Sequence, residues 1–407
     1  MDVLVLNAGS SSLKFELYRT SLSMIEDNTD HSMAEGLVER IGLAGAEVTF
    51  EHGDRSYHNV QEILNHRKAI EIGLDLMMDD EIGPISDQDE IDAVGHRVVH
   101  GGESFSETVI IDQDVETEIQ KCIRFAPLHN PHNLEGIRAA REIFPDVPHA
   151  AAFDTGVHQS LPEKSYLYAI PRNFYHEHDI RKYGFHGMSH RYMRFRLSQL
   201  LDKPRSELQF ISCHLGNGCS VTAFDGMQVL DTSMGFTPLE GLVMGTRCGD
   251  LDPAVVIYLM VTEDYLPHEM DTLLNKQSGL QGLSGVTNDM KTLLDEASEG
   301  NHPCQQAIDV FCHRLQKYIG AYHGFLNGAD AILFTGGIGT NSPDIRRQSL
   351  EEMDNLGIQV DPDRNAATTG EEGFISPPDA NVKVGVIPTE EELVIARDTV
   401  RCLRNGE

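Results

Sequence analysis

The sequence is poor in long apolar runs, in paired cysteines and in positive charge. No stretch approaches the roughly 18 uninterrupted apolar residues of a membrane-spanning helix. Seven cysteines are scattered without a C-x-x-C pair, which fits neither a disulfide framework nor a zinc site. The formal net charge of −32 provides no basic field for nucleic acid or an anionic membrane. We therefore expect reduced thiols and neither a nucleic-acid nor a membrane partner.

The chain also begins without the features of a secretory signal peptide. Residues 1–7 enter a strand-like run directly and lack a basic segment and a cleavage site. This start and the reduced thiols predict a cytoplasmic protein. The length of 407 residues exceeds what one hydrophobic core usually holds, so two domains are expected.

One strand-turn-strand layout occurs twice in the sequence. Residues 2–18 form an apolar run, a cluster of small residues and an alternating strand, and residues 210–226 repeat that order. The repetition predicts an internal duplication, with two α/β domains whose hairpin turns face a shared cleft. The chain is expected to cross between the domains near residues 153–156.

Periodic apolar residues predict the helices that alternate with these strands. They indicate helices over residues 133–144, 191–201, 253–262, 286–296 and 304–326, the second with Ser189 as N-cap. Short apolar strands are expected at residues 91–99 and 329–335. This alternation is typical of α/β units.

Three small-residue segments could bind an anion. Residues 7–12 with Lys14 offer N–H groups, hydroxyls and an ammonium, and residues 214–220 repeat the pattern. Residues 331–339 predict a strand and a glycine turn before a helix opened by Ser342 and Pro343, a place where nucleotides bind. Plain turns are the alternative in each case, but the repetition favours phosphate binding.

Five side chains are candidates for catalysis. Arg97 and Arg247 lie among glycines, where a guanidinium can contact carboxylate or phosphoryl oxygens with two prongs; a structural salt bridge is the alternative. His129 and His186 lie in segments that a ligand could approach. Asp154 follows a strand and could hold Mg²⁺, orient a reactant or merely cap a turn. Phosphoryl transfer requires such positioning and charge rather than a histidine nucleophile.

Together these segments resemble the acetate kinase family, within the sugar-kinase, actin and Hsp70-like group of duplicated ATPase folds. The resemblance extends from Leu6 almost to the C-terminus, through LNAGSSSLKF, GHRVVHGGE, APLHNPHN, FDTGVH, YGFHGMSH, HLGNGCS, MGTRCGDLDP, SGLQGLSG, FTGGIG and IPTEEELVIARDT. It implies an α/β fold of two duplicated actin/hexokinase-like (ribonuclease H-like) domains with a cleft between them. The N-terminal domain would comprise residues 1–153 and 388–407, and the nucleotide-binding domain residues 154–387.

The resemblance also implies an activity. This is reversible, Mg²⁺- or Mn²⁺-dependent transfer of the γ-phosphoryl group of ATP to acetate, giving acetyl phosphate and ADP, by a homodimer. A propionate or other short-chain acyl kinase is an alternative on the same fold. A nucleotide-dependent clamp without catalysis is a further alternative, although it would not need paired arginines and a histidine around an apolar pocket.

Residue roles are carried over from the resemblance by position. The metal would be held by Asn7 and Glu391, and catalysis would fall to Asp154, Arg97, His186, Arg247 and His129. The nucleotide would contact Lys14, Ser10, Ser12, His214, Leu215, Gly216, Asn217, Gly218, Asp289, Met290, Lys291, Gly337, Ile338, Gly339, Thr340 and Asn341. Arg97 would also bind the substrate carboxylate, next to an acyl pocket of Val99, Leu128, Phe185 and Pro238. Val99 would crowd a longer acyl chain, which favours acetate by about 1 to 3 kcal/mol per methylene.

The sequence departs from the family pattern at three positions. Lys291 stands where Arg is usual, Thr340 where Glu is usual, and Cys248 where Ser is usual. The first two bear on which nucleotide base is preferred. The triplet of glutamates at residues 390–392 leaves open which carboxylate faces the metal.

Overall fold

The computed structural model describes residues 1–405, which form two compact α/β units. The first unit contains Met1–Gln159 and the chain from Glu390 onward, and the second contains Ser160–Thr389. Each unit has one mixed β-sheet, so the predicted fold class is confirmed. Within the described part of the chain, no helix is both long enough and apolar enough to span a membrane.

Short strands supply both sheets. They are β1 (Asp2–Ala8), β2 (Ser12–Arg19), β3 (His31–Glu39), β4 (Ala46–His52), β5 (Arg55–Gln61), β6 (Ala93–Val98), β7 (Val109–Ile110), β8 (His149–Phe153), β9 (Gln209–Leu215), β10 (Cys219–Asp225), β11 (Gln228–Thr232), β12 (Ala331–Thr335), β13 (Gly373–Phe374) and β14 (Lys383–Val386).

Helices connect and cover the strands. They are α1 (Leu22–Asp27), α2 (His66–Met77), α3 (Gln113–Lys121), α4 (Asn130–Ile143), α5 (Glu163–Tyr166), α6 (Asn173–His178), α7 (Gly187–Leu200), α8 (Pro253–Thr262), α9 (Pro267–Lys276), α10 (Gly279–Ser284), α11 (Met290–Ser298), α12 (His302–Phe325), α13 (Gly336–Asn341), α14 (Pro343–Ser349), α15 (Pro362–Ala367) and α16 (Glu391–Asn405). Single 3-10 turns lie at Gln88–Glu90, Cys122–Arg124, Gly156–Ser160, Arg205–Glu207 and Asp354–Leu356.

Six of the eight strands of the first sheet follow the same order as the six strands of the second, which confirms the predicted duplication. The first sheet runs β5-β4-β3-β2-β1-β6-β8-β7 and the second runs β11-β10-β9-β12-β14-β13. In both sheets the first two strands along the chain form an antiparallel hairpin, and the first of them pairs in parallel with a later strand: β1 with β6, and β9 with β12. Parallel pairing then continues to β8 and β14. Polar residues that follow the first strand of each hairpin therefore lie at the carboxyl edge of a parallel sheet, where ligands bind in such folds.

The core of the first unit explains why its hairpin is rigid. In β1 every residue except Asn7 is buried, as expected for a central strand covered on both faces. Phe15 of β2 packs against Phe50 of β4 in a cluster that also buries Ile70 of α2. The turn that follows β1 is consequently fixed at both ends by buried strands.

Some helices begin at other residues than predicted, because capping residues and a proline set where these helices start. Ser189 is not an N-cap: α7 begins at Gly187 because His186 turns the chain in a left-handed conformation (φ 56°, ψ 31°). Ser189 lies inside the helix and its hydroxyl bonds elsewhere. The predicted helix over residues 133–144 begins at Asn130, since Pro131 fits its first turn. The helix predicted from residue 286 begins only at Met290, because Asp289 caps it.

The predicted glycine turn after β12 is also different. Gly336 to Asn341 form the short helix α13, and only Gly336 has a positive φ, of 76°. Ser342 precedes α14 without a side-chain capping bond. The chain therefore bends into a helical turn immediately after the strand and leaves Gly337 exposed at the surface of its unit.

Candidate active site

Arg97 and Asp154 form the centre of a polar cluster in the first unit. Arg97 Nη2 donates to Asp154 Oδ2 at 2.7 Å and Arg97 Nε donates to Oδ1 at 3.2 Å, a two-pronged ion pair. Arg97 Nη1 donates to Asn7 Oδ1 at 3.3 Å. The pairing of β1 with β6 explains this contact, because Leu6 is opposite His96 and the next residues are therefore adjacent.

The charges of this cluster are strongly coupled. Burial raises the pKa of Asp154, and the negative charge of Glu391 raises it further, while Arg97 opposes both effects. Burial alone would lower the pKa of Arg97, but Asp154 and Glu391 outweigh burial and raise that pKa. The arginine is thus held positively charged by the buried Asp154 and the half-buried Glu391, and two carboxylates beside one arginine favour a further positive ligand.

Glu391 and Glu392 face different neighbours. Glu392 accepts a hydrogen bond from Asn7 Nδ2 at 3.3 Å and lies 3.0 Å from Lys14 Nζ. Burial tends to raise the pKa of Glu392, but Lys14 and Asn7 lower it overall, so this carboxylate stays ionised. The charge of Glu391 instead acts on Arg97 and Asp154. Glu392 therefore pairs with Lys14, whereas among the described residues Glu391 pairs with no lysine. The sequence analysis did not single out Glu392.

Two hydrogen bonds hold the turn after β1 in place. Gly9 N donates to Ser12 O at 2.8 Å within the turn, and Asn133 Nδ2 donates to Ala8 O at 2.8 Å. Ser10 is exposed at the tip. The turn is therefore a fixed loop that presents hydroxyl and N–H groups, as its composition predicted.

The start of α4 carries further predicted residues. His129 occupies the N-cap position, is half-buried, and its charge lowers the pKa of Asp154. The Val99 side chain is buried, and its N–H donates to Asn133 Oδ1 at 3.1 Å. Leu128 differs, since 54% of its surface is exposed. Within this unit, Val99 forms buried apolar surface and Leu128 presents apolar surface to solvent.

A chain of histidines and serines lies in the second unit. His186 Nδ1 is 3.0 Å from Ser220 Oγ, and the same hydroxyl is 2.7 Å from His190 Nε2. His190 Nδ1 is 2.8 Å from Ser212 Oγ. His190, Ser212 and Ser220 are buried, so this network orients His186 from the interior of the unit. Sequence reasoning missed Ser220 and His190, although both lie within the motifs that contain His214 and His186.

His214 packs directly on His186. Their ring centroids are 4.1 Å apart with an interplanar angle of 22°. His214 Nδ1 is 2.8 Å from Ser189 Oγ. The Ser189 hydroxyl donates its own proton to Thr389 Oγ1 at 2.7 Å. Both imidazoles are therefore fixed at Nδ1.

Arg247 completes this second cluster. A Cβ at Gly218 would lie 3.4 Å from both Arg247 Nη1 and His186 Nε2, so both side chains lie close to this glycine. Among the described residues no carboxylate pairs with Arg247, whose Nη1 has only long contacts of 3.5 Å to Pro238 O and 3.9 Å to Met244 Sδ. Burial lowers the pKa of this guanidinium. A half-buried guanidinium without a counter-ion, next to an imidazole, is suited to an anionic ligand.

Close backbone packing positions the loop next to Arg247. Gly245 N donates to Asn217 O at 3.0 Å, and a Cβ at Gly245 would meet Asn217 Oδ1 at 2.0 Å. Only glycine permits this approach. Asn288 Nδ2 also donates to Asn217 Oδ1 at 3.0 Å, so the exposed Asn217 is already oriented within its unit.

The residues predicted to bound the nucleoside lie on two short segments. Asp289 accepts hydrogen bonds from the N–H and hydroxyl of Thr292, which lower its pKa, while Met290 is buried and Lys291 exposed. On α13, a Cβ at Gly337 would meet nothing within 4 Å, which leaves that surface open.

Arg346 supports α13 from inside the unit and was not predicted. This fully buried guanidinium donates to the carbonyls of Gly339 and Thr340 at 2.8 and 2.9 Å. Burial lowers its pKa to about 10. The Thr340 hydroxyl donates to Gly336 O at 2.8 Å, so in this structure it completes the helix.

Comparison with known proteins shows the family of this chain. The sequence matches the acetokinase family over residues 2–397. The chain belongs to the acetokinase family. An acetate kinase of Alkaliphilus metalliredigens is 48% identical over 400 residues, covering 98% of this chain and 99% of that protein. Membership in the acetokinase family makes the chain a kinase that uses ATP or ADP as co-substrate.

Solved structures of the acetokinase family have the same fold. The crystal structure of Porphyromonas gingivalis acetate kinase matches with a TM-score of 0.93 and 39% identity, covering 99% of both chains. A propionate kinase from Francisella tularensis matches with a TM-score of 0.90 and 40% identity, covering 98% of this chain and 99% of that one.

The predicted residues thus fall into two groups. The first unit brings together Asn7, Arg97, Asp154 and the charge of Glu391, and the second unit brings together His186, Gly218 and Arg247. Lys14 is engaged by Glu392.

Proposed function

We propose that this chain transfers the γ-phosphoryl group of ATP reversibly to acetate, giving acetyl phosphate and ADP. The observation that carries the proposal is Arg247, a half-buried guanidinium with no carboxylate partner in the described chain, which lies close to Gly218, as His186 does. In phosphoryl transfer, charge spreads over three equatorial oxygens and must be neutralised by fixed donors. Arg247 and the Nε2 side of His186 are suited to that charge.

Arg97 is the proposed group for the carboxylate substrate. Asp154 holds two of its nitrogens, which removes most of the rotational freedom of the guanidinium before substrate arrives. Positioning of this kind lowers the entropy lost in the transition state. In this proposal Asp154 is a positioning residue for Arg97, and His129, whose charge acts on Asp154, assists from the start of α4.

The residues present fit a bound Mg²⁺ or Mn²⁺. Amide and carboxylate oxygens are the donors that such hard cations prefer, and Asn7 and Glu391 supply them. Two carboxylates of the cluster also repel each other, since the charge of Glu391 raises the pKa of Asp154. A divalent cation held by Asn7 and Glu391 would relieve that repulsion. When bound, it supplies neutralisation of the nucleotide phosphates.

The nucleotide contacts stay proposals as well. Ser10 and Ser12 lie on the braced turn of the first unit, and Lys14 follows them. The loop from His214 to Gly218 is proposed for the phosphates, and the segments around Lys291 and Gly337 are proposed for the nucleoside. The two compact units are proposed to be two domains with the predicted limits. The N-terminal domain would comprise residues 1–153 and 388–407, and the nucleotide-binding domain residues 154–387.

A propionate kinase is the second candidate, because one of the similar structures carries that activity in its name. Val99 and Phe185 are buried, while Pro238 is half-buried and Leu128 exposed. We propose that Val99 restricts the acyl chain to acetate. Val99→Ala removes two methyl groups and should raise propionate activity relative to acetate by about 10- to 200-fold, the range for one methylene in a pocket. An unchanged substrate ratio would remove Val99 from the pocket.

A homodimer is proposed from the surface of α8. This helix has no buried residue, although it is almost entirely apolar, and Ile257 and Val261 are 65% and 73% exposed. A contiguous apolar face of this kind marks an interaction surface. Ile257→Lys with Val261→Glu should yield a monomer by light scattering, whereas the apolar swap Ile257→Leu should not. A wild-type mass that equals one chain would overturn the proposal.

A cytoplasmic location is proposed from the thiols. All seven cysteines are free, and five of them are buried. Such a set is typical of a reducing compartment, where ATP is also available.

The test of the main proposal is an assay of acyl phosphate trapped with hydroxylamine, with ATP and Mg²⁺, comparing acetate, propionate and no carboxylate. Product that depends on acetate supports the proposal and ranks the two acids. Absence of product with every acid would overturn it in favour of another phosphoryl donor or the non-catalytic clamp.

A further inference from the structure

Three possible metal ligands converge behind the turn that follows β1. One ligand atom from each of His66, His132 and Glu135 lies within 4.8 Å of the other two. His66 is the first residue of α2, and the other two lie one turn apart on α4. These residues take no part in the function proposed above.

The hydrogen bond of His66 fixes which nitrogen can bind a metal. His66 is buried and its Nε2 lies 2.7 Å from the carbonyl oxygen of Gly9, so Nε2 carries the proton and donates. The lone pair is then on Nδ1, which lies 3.5 Å from Glu135 Oε1. A metal-binding histidine almost always donates its second N–H to a carbonyl or carboxylate in this way.

His132 supplies the second nitrogen. Its Nδ1 is buried and has no hydrogen-bond partner among the described residues, and it lies 3.7 Å from Glu135 Oε2. Two ligands at about 2.0 to 2.1 Å from a tetrahedral zinc ion lie roughly 3.4 Å from each other. The separations of 3.5 and 3.7 Å are longer than hydrogen bonds and close to that spacing. The two distances run to different oxygens of Glu135, and one ligand atom of each residue lies within 4.8 Å of the other two, so one cation can contact all three groups.

We propose that His66 Nδ1, His132 Nδ1 and the Glu135 carboxylate bind a transition-metal cation, with Zn²⁺ as the favoured ion. Two imidazoles and one carboxylate suit zinc, whereas Mg²⁺ and Ca²⁺ prefer oxygen alone. Glu135 also lines an open cavity of about 350 Å³ between α2 and α4, together with Asn65, Arg67 and Pro131.

Binding would also fix the turn that carries Ser10. The metal would lock the ring of His66, and with it the hydrogen bond from Nε2 to Gly9 O. Any resulting change in nucleotide affinity rests on the function proposed above, but the metal site itself does not.

The test is a titration of the metal-free full chain with Co²⁺, and then Zn²⁺, in excess Mg²⁺ and without nucleotide. We expect one equivalent to bind, with the strong visible absorption of tetrahedral Co²⁺, displaced by Zn²⁺. His132→Ala and Glu135→Gln should weaken binding at least 10-fold and abolish that absorption. Both side chains are partly exposed, at 33% and 49%, so these variants should fold. Exposed His58→Ala is the matched control.

Two outcomes would overturn the site. One is the absence of stoichiometric binding to the wild-type chain. The other is binding that His132→Ala and Glu135→Gln leave unchanged, since the ion would then sit on the cysteines or on the carboxylates of the first-unit cluster.

Discussion

Asp154 holds Arg97 through two parallel hydrogen bonds, of 2.7 and 3.2 Å, at the carboxyl ends of adjacent parallel strands. Arg97 lies in β6, and Asp154 is the first residue after β8. The aspartate is almost completely buried, whereas the arginine keeps about a quarter of its side chain accessible. The buried Asp154 therefore fixes the position of Arg97, while the guanidinium of Arg97 stays accessible to a ligand.

Asp154→Asn tests that anchoring. The amide keeps the shape of the side chain but removes the charge and one acceptor, so we expect kcat to fall about 100-fold and the free energy of unfolding to fall by up to about 3 kcal/mol. Initial rates and urea denaturation measure the two effects. Asp30→Asn is the matched control, because the Asp30 side chain is as buried as that of Asp154 and also pairs with an arginine, Arg397, in the same unit. If both variants lost activity only in proportion to stability, Asp154 would have no special role.

Arg247→Ala should separate catalysis from stability. Loss of a donor to the transition state should cost about 3 to 4 kcal/mol, or roughly 10² to 10³ in kcat. Stability should change little, because the polar contacts of Arg247 among the described residues are long ones to Pro238 O and Met244 Sδ, and no carboxylate loses a partner. Steady-state kinetics and thermal unfolding provide the comparison, with the exposed Arg172→Ala as control. Turnover near that of the wild type would contradict the assigned role.

Ser220→Ala tests the network behind His186. In the proposed arrangement Ser220 Oγ donates to His186 Nδ1, which places the ring proton on Nε2, and removal of the hydroxyl removes this preference. We expect kcat to fall about 10-fold with little change in the KM for ATP. The ¹⁵N shifts of the His186 ring should move toward a mixture of tautomers. Ser212→Ala, at the far end of the network, should have a smaller effect on both measurements. Equal effects of the two variants would indicate a structural role alone.

Buried histidines of the first unit should make its stability depend on acid pH. His96 Nε2 donates to His149 Nδ1 at 2.9 Å, and His149 Nε2 donates to Phe144 O. Burial lowers the pKa of both imidazoles below the ordinary 6.5. Below about pH 6.5 the two imidazoles are therefore protonated in the unfolded chain but stay neutral in the folded chain. The free energy of unfolding thus has its full value above that pH and decreases as the pH falls below it. The slope should be about 1.4 kcal/mol per pH unit for each histidine.

His96→Gln should flatten this dependence. The variant cannot titrate at that position, so the difference in unfolding free energy between pH 7.5 and pH 5.5 should shrink while stability at pH 7.5 falls. Exposed His58→Gln should retain the wild-type dependence. A His96→Gln variant with an unchanged slope would show that these imidazoles are not the acid-sensitive groups.

The sequence alone determined the elements whose signals are local. The apolar runs and small-residue turns of β1–β2 and β9–β10 depend on residues close together in the chain, so their layout, the duplication and the exact limits of α8 could be predicted. The family motifs likewise indicated Arg97, Asp154, His186 and Arg247 as candidates. Such signals need no knowledge of distant partners.

Only the tertiary structure decided which partner each polar group takes. Lys14 pairs with Glu392, 378 positions away in sequence, and Ser189 bonds to His214 instead of capping α7. Ser220, His190 and Arg346 gain their importance from burial next to particular atoms. The convergence of His66 with His132 depends on the packing of α2 against α4. Hydrogen bonds and ion pairs act over a few ångströms in space, and separation along the chain does not reveal which groups the fold brings within that range.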